Sequence, residues 1–342
     1  MQNVSPAVNA WQTPRLLFSV AGYINRQKKF LDAHIEPEIK KAMQPGDNSL
    51  DEADRKKIRN YYGLAVPAIL GEAFCALRGK AMNDKERMAS TCQGATTGLF
   101  DDFFDKQFLS TQQLEDIIER PEQVEVANAG QRLFLTLFGK GLELMPHKQH
   151  TLQWVQKVYQ AQVESRKQAM PGLSPDEIIS ITINKGGVSL LLYRTAFDNS
   201  MDAAEEEMLY KLGAVMQLSN DIFDVYKDSM DNIYTLVTTA TRIADLRKLF
   251  LSLLKQGYEA AYQTHYSKKN TKRFLNIISI GIFSRCLVCL DQLEKNEKSS
   301  NGVFDPKQYS RQQLVCDMDT ALNKWSSVKY HMGLERLLIK NN

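Results

Sequence analysis

From about residue 51 to residue 338, apolar side chains recur three and four positions apart. No run alternates apolar with polar as a half-buried strand must. This periodicity predicts helices over roughly 51–79, 84–108, 124–142, 149–169, 175–199, 203–230, 236–263, 267–294 and 308–338. The stops are chemically legible. Pro171-Gly172 ends one helix, and Ser174-Pro175-Asp176-Glu177 opens the next with a capping hydroxyl and a first-turn proline. Asp198-Asn199-Ser200 and the stretch 295–302 mark further breaks, and Pro121, Pro146 and Pro306 fall between helices. No internal repeat or long linker divides the chain. The expectation is one all-α domain over residues 1–342, a bundle of about ten helices with 1–14 loosely attached.

Composition narrows the partners. With 43% hydrophobic residues the chain can bury a sizeable core, and a net charge of +3 gives no global attraction for nucleic acid. Five scattered cysteines fit a reducing compartment better than a disulfide framework. Cys286 and Cys289 lie one helical turn apart in an apolar stretch and read as core thiols. The N-terminus has no basic segment followed by an apolar one, and the apolar stretch 274–290 is broken by Asn276 and Arg285. The expectation is a soluble, cytoplasmic chain with no transmembrane segment.

Two acidic clusters stand out. Residues 101–105 read DDFFD, at the end of a predicted helix behind Gly98-Leu99-Phe100. At about 100° per residue, Asp101, Asp105 and Asp102 project near 0°, 40° and 100°, in one sector. The negative end of the helix dipole adds to their charge, so a bound cation gains there. The second cluster, QLSNDIFDVYKD, covers residues 217–228. With Asn220 at 0°, Asp224, Asp228 and Asp221 fall near 40°, 80° and 100°, and Lys227 borders the sector at about −20°. Oxygen donors without histidine or thiolate suit Mg²⁺, with Mn²⁺ as the alternative, rather than zinc or copper. Mg²⁺ sites use few carboxylates and leave room for substrate phosphates. The residues therefore point to a diphosphate held through magnesium between two acidic helices. His147 and His150, beside Pro146, read as a solvated helix start.

DDFFD resembles the DDxxD motif of the class I isoprenoid synthases, the superfamily of trans-prenyltransferases and terpene cyclases. QLSNDIFD is similar to the second prenyltransferase motif FQxxDDxxD, with Met216 and Asn220 as departures. NDIFDVYKD also resembles the cyclase motif NDxxSxxKE, with Asp224 for serine and Asp228 for glutamate. Between them ITINKGGVSLLL resembles the prenyltransferase segment in which a helix breaks at small residues and a lysine grips the diphosphate; here that lysine is Lys185, before Gly186-Gly187. The resemblance covers roughly residues 60–240 and implies helices around a central cavity.

It further implies metal ligation by Asp101, Asp102, Asp105, Asn220, Asp221, Asp224 and Asp228, with Asp101, Asp105, Asn220, Asp224 and Asp228 serving catalysis. Lys185 and Lys227, with Arg194 as sensor (Arg166 is a second candidate), would bind the diphosphate. The cavity would be lined by Gln93, Gly94, Thr97, Phe100 and Tyr193, with Phe104 and Trp154 as further aromatic candidates. The small residues before DDFFD imply a chain of C20 or longer. The paired arginines that follow the first motif in prenyltransferases are absent, and Leu77-Arg78-Gly79-Lys80-Ala81 matches their GKRxRP element poorly. These departures favour a terpene cyclase, which ionises one linear prenyl diphosphate. The alternatives are a trans-prenyltransferase that elongates with isopentenyl diphosphate and a non-catalytic prenyl-diphosphate binder. A homodimer is compatible with either enzyme.

Overall fold

The structure, a computed structural model, describes residues 6–105, 112, 116, 124, 126–198 and 200–340; among these, the side chains of 6–11, 101–105 and 340 are not described. The described residues form an all-α protein of ten or more helices with no strand. Their packing gathers into two compact units, one of residues 1–17, 157–191 and 201–342, the other of 18–156 and 192–200.

The second of these units is built on α1 (Pro6–His34, from Phe18 onward), α2 (Glu36–Ala42), a helical stretch α3 over 52–78, α4 (Asp84–Asp105) and α5 (Ala129–Leu144). Asp51 caps α3 by accepting from the Asp54 amide at 2.9 Å, and the Asp54 carboxylate accepts from the Asp51 amide in return. Two π turns, Lys57–Tyr61 and Val66–Gly71, interrupt α3. Gly94 explains part of this path. A Cβ there would lie 2.5 Å from the Tyr62 carbonyl oxygen, so α4 and α3 touch backbone to side-chain position with nothing between. The core of the unit includes Leu31, Ile35, Ile58, Leu77, Leu99, Leu133 and Leu137, all buried. Several of its interior polar groups are linked to one another. Arg87 donates to Glu72 at 2.8 Å and to Gln27 at 3.3 Å, and Gln27 donates to Thr91 at 2.9 Å and to the Gly63 carbonyl at 3.1 Å.

The other unit holds α7 (Pro175–Arg194, up to Leu191), α8 (Ala203–Phe223), α9 (Val225–Met230), α10 (Ile243–Ala261), α11 (Lys268–Ser299), α12 (Arg311–Leu314) and α13 (Ala321–Lys340), with α6 (Lys148–Ser165) contributing from Lys157 on. Helix α7 runs without interruption through Gly186-Gly187, in place of the expected break. The glycines serve contact instead. A Cβ on Gly186 would lie 2.2 Å from the Gly213 carbonyl oxygen, one on Gly213 would lie 2.3 Å from the Gly186 oxygen, and one on Gly187 would strike the Tyr210 ring at 2.3 Å. Helices α7 and α8 thus cross with their backbones in contact. On another side of α8, Gly257 of α10 leaves room for Leu212, whose Cδ2 would sit 2.6 Å from an added Cβ.

Helix α11 is longer than the apolar stretch 274–290 suggests, because a π turn at Ser279–Phe283 joins its two parts. It is long and apolar enough to cross a membrane, but 72% of its apolar window is buried inside the protein, as a core helix requires. Cys286 and Cys289 are buried there, as the sequence predicts.

The glycine contacts have opposite consequences for substitution. Gly213→Ala forces a methyl into a backbone oxygen and should cost about 1–3 kcal/mol or more. Gly139 and Gly333 are helical with open space at their Cβ positions. Alanine at either should stabilise by about 0.5–1 kcal/mol. Urea denaturation midpoints of the three variants should fall on opposite sides of the parent value.

Candidate functional site

The site with describable side chains lies where α7 crosses α8. Lys185 immediately precedes Gly186, so the backbone contact that seats Gly186 on Gly213 also brings Lys185 close to the last turns of α8. Gln217 is the next link. Its Cβ packs against the Gly186 position, 2.7 Å from where a Cβ would stand, and its amide donates to the Asp221 carboxylate at 2.9 Å. Sequence reading assigns Gln217 no role, although its i, i+4 spacing to Asp221 is the available signal.

Asp221 is only 4% exposed. Burial pushes its carboxyl up to about 6, aided by the negative charge of Asp224 and opposed by the Gln217 hydrogen bond and the charge of Lys185. Asp228 is more perturbed. Burial raises it to about 8, Asp221 and Asp224 add repulsion, and Lys227 and Lys185 oppose. Asn220 is exposed and its amide donates to Asp224 Oδ2 at 3.3 Å, so these two meet as their spacing predicts. Asp224 departs from helical backbone, with φ −95° and ψ 7°, and divides the expected 203–230 helix into α8 and α9. The i→i+4 hydrogen bonds continue across it, from the Asp224 amide to the Asn220 carbonyl and from the Asp228 amide to the Asp224 carbonyl, both 2.9 Å. The four residues therefore stay close to the helical positions read from the sequence. Lys227 is exposed beside them.

Among the described residues, no three His, Cys, Asp or Glu side chains gather so as to hold a metal by themselves. Asn220, Asp224 and Asp228 are the oxygen donors there that could meet a cation together with water. A cation there would relieve the mutual repulsion of Asp221, Asp224 and Asp228.

The first cluster belongs to the other unit. Helix α4 extends to Asp105, so Asp101, Asp102 and Asp105 are on helical backbone, but their side chains and that of Phe104 lie outside the described residues. The expected cavity residues preceding them are accounted for by packing. Gly94 is filled by the Tyr62 carbonyl, and Gly98 faces Lys57 and the Tyr62 ring at 3.3 Å rather than opening a wall. Gln93 donates to the Leu192 carbonyl at 2.8 Å and to Thr195 at 3.1 Å. Tyr193 donates to Thr97 at 3.1 Å, and Thr97 donates to the Gln93 carbonyl at 2.8 Å. Phe100 stacks on Phe134 with centroids 6.0 Å apart. The space at Gly94 and Gly98 is thus taken up by Tyr62 and Lys57. Arg194 is buried at 1% exposure and donates to the Phe197 carbonyl at 3.2 Å, at the C-terminal end of its own helix. Trp154 is also buried, with its indole N–H donating to His150 at 2.9 Å. The Arg78 and Lys80 side chains are engaged too, Arg78 with Glu86 at 2.8 Å and both with Asp198.

The fold defines an all-α helical protein. No family model, curated protein or solved structure matches the chain.

The raised carboxyls set a pH dependence. A group whose pKa is higher folded than unfolded stabilises the fold below its unfolded value and loses that contribution as pH rises through its folded one. Metal-free protein should therefore lose stability between pH 4 and pH 8, as Asp221 and then Asp228 ionise near 6 and 8. In denaturant titrations with EDTA, Asp228→Asn should flatten the upper part of this decline. Added Mg²⁺ should restore more stability at pH 8 than at pH 5.

Proposed function

We propose that this chain is a magnesium-dependent terpene cyclase, which ionises a linear prenyl diphosphate and releases pyrophosphate with a cyclised or eliminated product. One observation carries the reading: the Gly186–Gly213 crossing sets Lys185 beside the helix on which Gln217 secures the buried Asp221, next to Asn220 and Asp224 in an oxygen-rich patch that Lys227 borders. Crowded carboxylates beside two ammonium groups match the chemistry of a diphosphate bound through a divalent cation. Asp224, Asp228 and Asn220 would hold Mg²⁺, with Asp221 behind them. When bound, the metal supplies charge neutralisation to the departing pyrophosphate.

The chain's own residues do the rest. As the allylic carbon–oxygen bond breaks, negative charge would grow on the diphosphate, and Lys185 and Lys227 would be the cations that stabilise it. Gln217 holds the Asp221 carboxylate in place, and the glycine crossing holds Lys185. The single-substrate reading is supported by Arg78 and Lys80. Arg78 is committed to Glu86 and Asp198, and Lys80 to Asp198, rather than to an open basic pocket for isopentenyl diphosphate.

Pyrophosphate release from geranyl, farnesyl and geranylgeranyl diphosphates with Mg²⁺ tests the proposal. Asp224→Asn and Asp228→Asn should lower turnover by about 10²–10³-fold, and Lys185→Gln comparably, with helical circular dichroism unchanged. Elongated products on adding isopentenyl diphosphate would make the chain a prenyltransferase. Binding without pyrophosphate release would make it a carrier, and wild-type turnover in all three variants would remove the diphosphate site altogether.

A further inference from the structure

Helix α13 is apolar on the side where a helix at the protein surface is ordinarily polar. Its inner side packs on α11 and α10, and part of that contact is polar. The Ser327 hydroxyl is 2.9 Å from that of Ser284, and His331 Nδ1 is 2.9 Å from the Ser279 hydroxyl, all four residues being buried. Leu334 and Leu338 complete the buried side. On the opposite side, Leu322, Trp325 and Ile339 are each more than half exposed, and Met332 between them is half-buried.

At about 100° per residue, Leu322, Lys329, Arg336, Trp325, Met332 and Ile339 fall at about 0°, −20°, −40°, −60°, −80° and −100°. They form one stripe about 26 Å long, opposite the buried side chains. Its charges are Lys329 and Arg336, both exposed, and no acid shares it. Glu335, the one acid of the helix, falls outside the stripe at about −140° and acts through its charge on Tyr258 and Tyr262. The Lys329 ammonium stands over the Trp325 ring, 5.6 Å from its centroid, so cation and indole form one amphipathic unit.

We propose that this outer stripe of α13 docks on the surface of an anionic lipid bilayer. The helix lies in the plane of the interface, with Leu322, Trp325, Met332 and Ile339 at the boundary of headgroups and acyl chains and Lys329 and Arg336 against the anionic headgroups.

Charge selects this occupant. A second copy of the chain would set one basic, acid-free stripe against another, and like charges would meet. An uncharged surface would leave both cations without a counter-charge. An anionic bilayer answers both features of the stripe, since its negative potential attracts the cations and its acyl boundary receives the apolar side chains. Indole suits that depth because it joins an apolar body to a polar N–H. With so few cations the binding is reversible and weakens with salt. The buried side of α13 stays on the protein, and the apolar helix α11 takes no part, being a core helix.

The test is flotation of the full chain with vesicles of phosphatidylcholine and phosphatidylserine at low salt, beside vesicles of phosphatidylcholine alone. The expected result is binding to the anionic vesicles only, reversed by added sodium chloride. The double variant Lys329→Glu/Arg336→Glu should lower the partition coefficient by about tenfold or more. Trp325→Ser should lower it as well, with helical circular dichroism unchanged in both variants. Phe18→Ser, which removes an exposed aromatic side chain of α1, is the control and should bind like the parent. Sedimentation velocity without lipid should give the same oligomeric state for the parent and Trp325→Ser. A parent dimer that Trp325→Ser dissolves would assign the stripe to a second copy and overturn the proposal. Absence of binding to the anionic vesicles would overturn it too, leaving an acidic protein as the complementary partner. Equal binding to both kinds of vesicle, binding that survives the double variant, or binding lost in Phe18→Ser would each do the same.

Discussion

The contact on which the site-bearing unit depends is the one in which two helices meet with no side chain between them. Gly186 and Gly213 each stand where a Cβ would fall within 2.4 Å of the other's carbonyl oxygen. Such an approach is open only to glycine, because any larger residue would push the helices apart. The crossing fixes the relation of α7 to α8, and with it the placing of Lys185, Gln217 and Asp221. Gly257 then repeats the device on another side of α8, admitting Leu212 into α10. The helix that carries the second acidic cluster is thus held by glycine-sized notches as well as by its buried Met208, Leu209, Leu212, Leu218 and Ile222.

Such rigidity matters because the cluster opposes its own burial. An interior carboxylate is costly unless paired, and removing one partner of a buried ion pair exposes that cost. Direct ion pairs occur in both units: Arg87–Glu72 and Arg78–Glu86, each at 2.8 Å, in that of residues 18–156 and 192–200, and Arg247–Asp291 at 2.8 Å in the other. At the second acidic cluster, by contrast, Asp221 receives a neutral amide, and Asp228 feels two like charges against two lysines. The first arrangement holds a fold together. The second keeps charge unsatisfied at a place where a cation and an anion could both gain, which is how perturbed groups mark functional candidates.

The helices themselves were legible because hydrophobic periodicity is local, and the departures have local causes as well. Helix α1 escapes a periodicity reading because its buried face includes Gln27 and its interior includes Pro14. The expected helix from 236 begins only at Ile243. Thr235, Thr238 and Thr239 turn their hydroxyls onto nearby backbone, with Thr238 donating to the Ile233 carbonyl at 2.6 Å and Thr239 to that of Thr235 at 2.7 Å. Around 315–320 the expected helix of 308–338 gives way to a turn in which Asp317 accepts from the Asp319 amide at 2.9 Å.

For the candidate site, the sequence by itself determined the helical class, the spacing that brings Asn220 to Asp224, and the proximity of Lys227 to that face. Each follows from the rise and turn of a single helix. Only the tertiary structure decided what the glycines do. Gly186-Gly187 permits a crossing and not a break, and Gly94 admits the Tyr62 carbonyl and not a substrate. It also decided that Arg194 faces the end of its own helix and that Gln217 secures Asp221. A missing side chain has the same local signature whether a helix, a ligand or nothing occupies the space. Which of these fills it depends on a segment far away in the chain, and no local pattern records that.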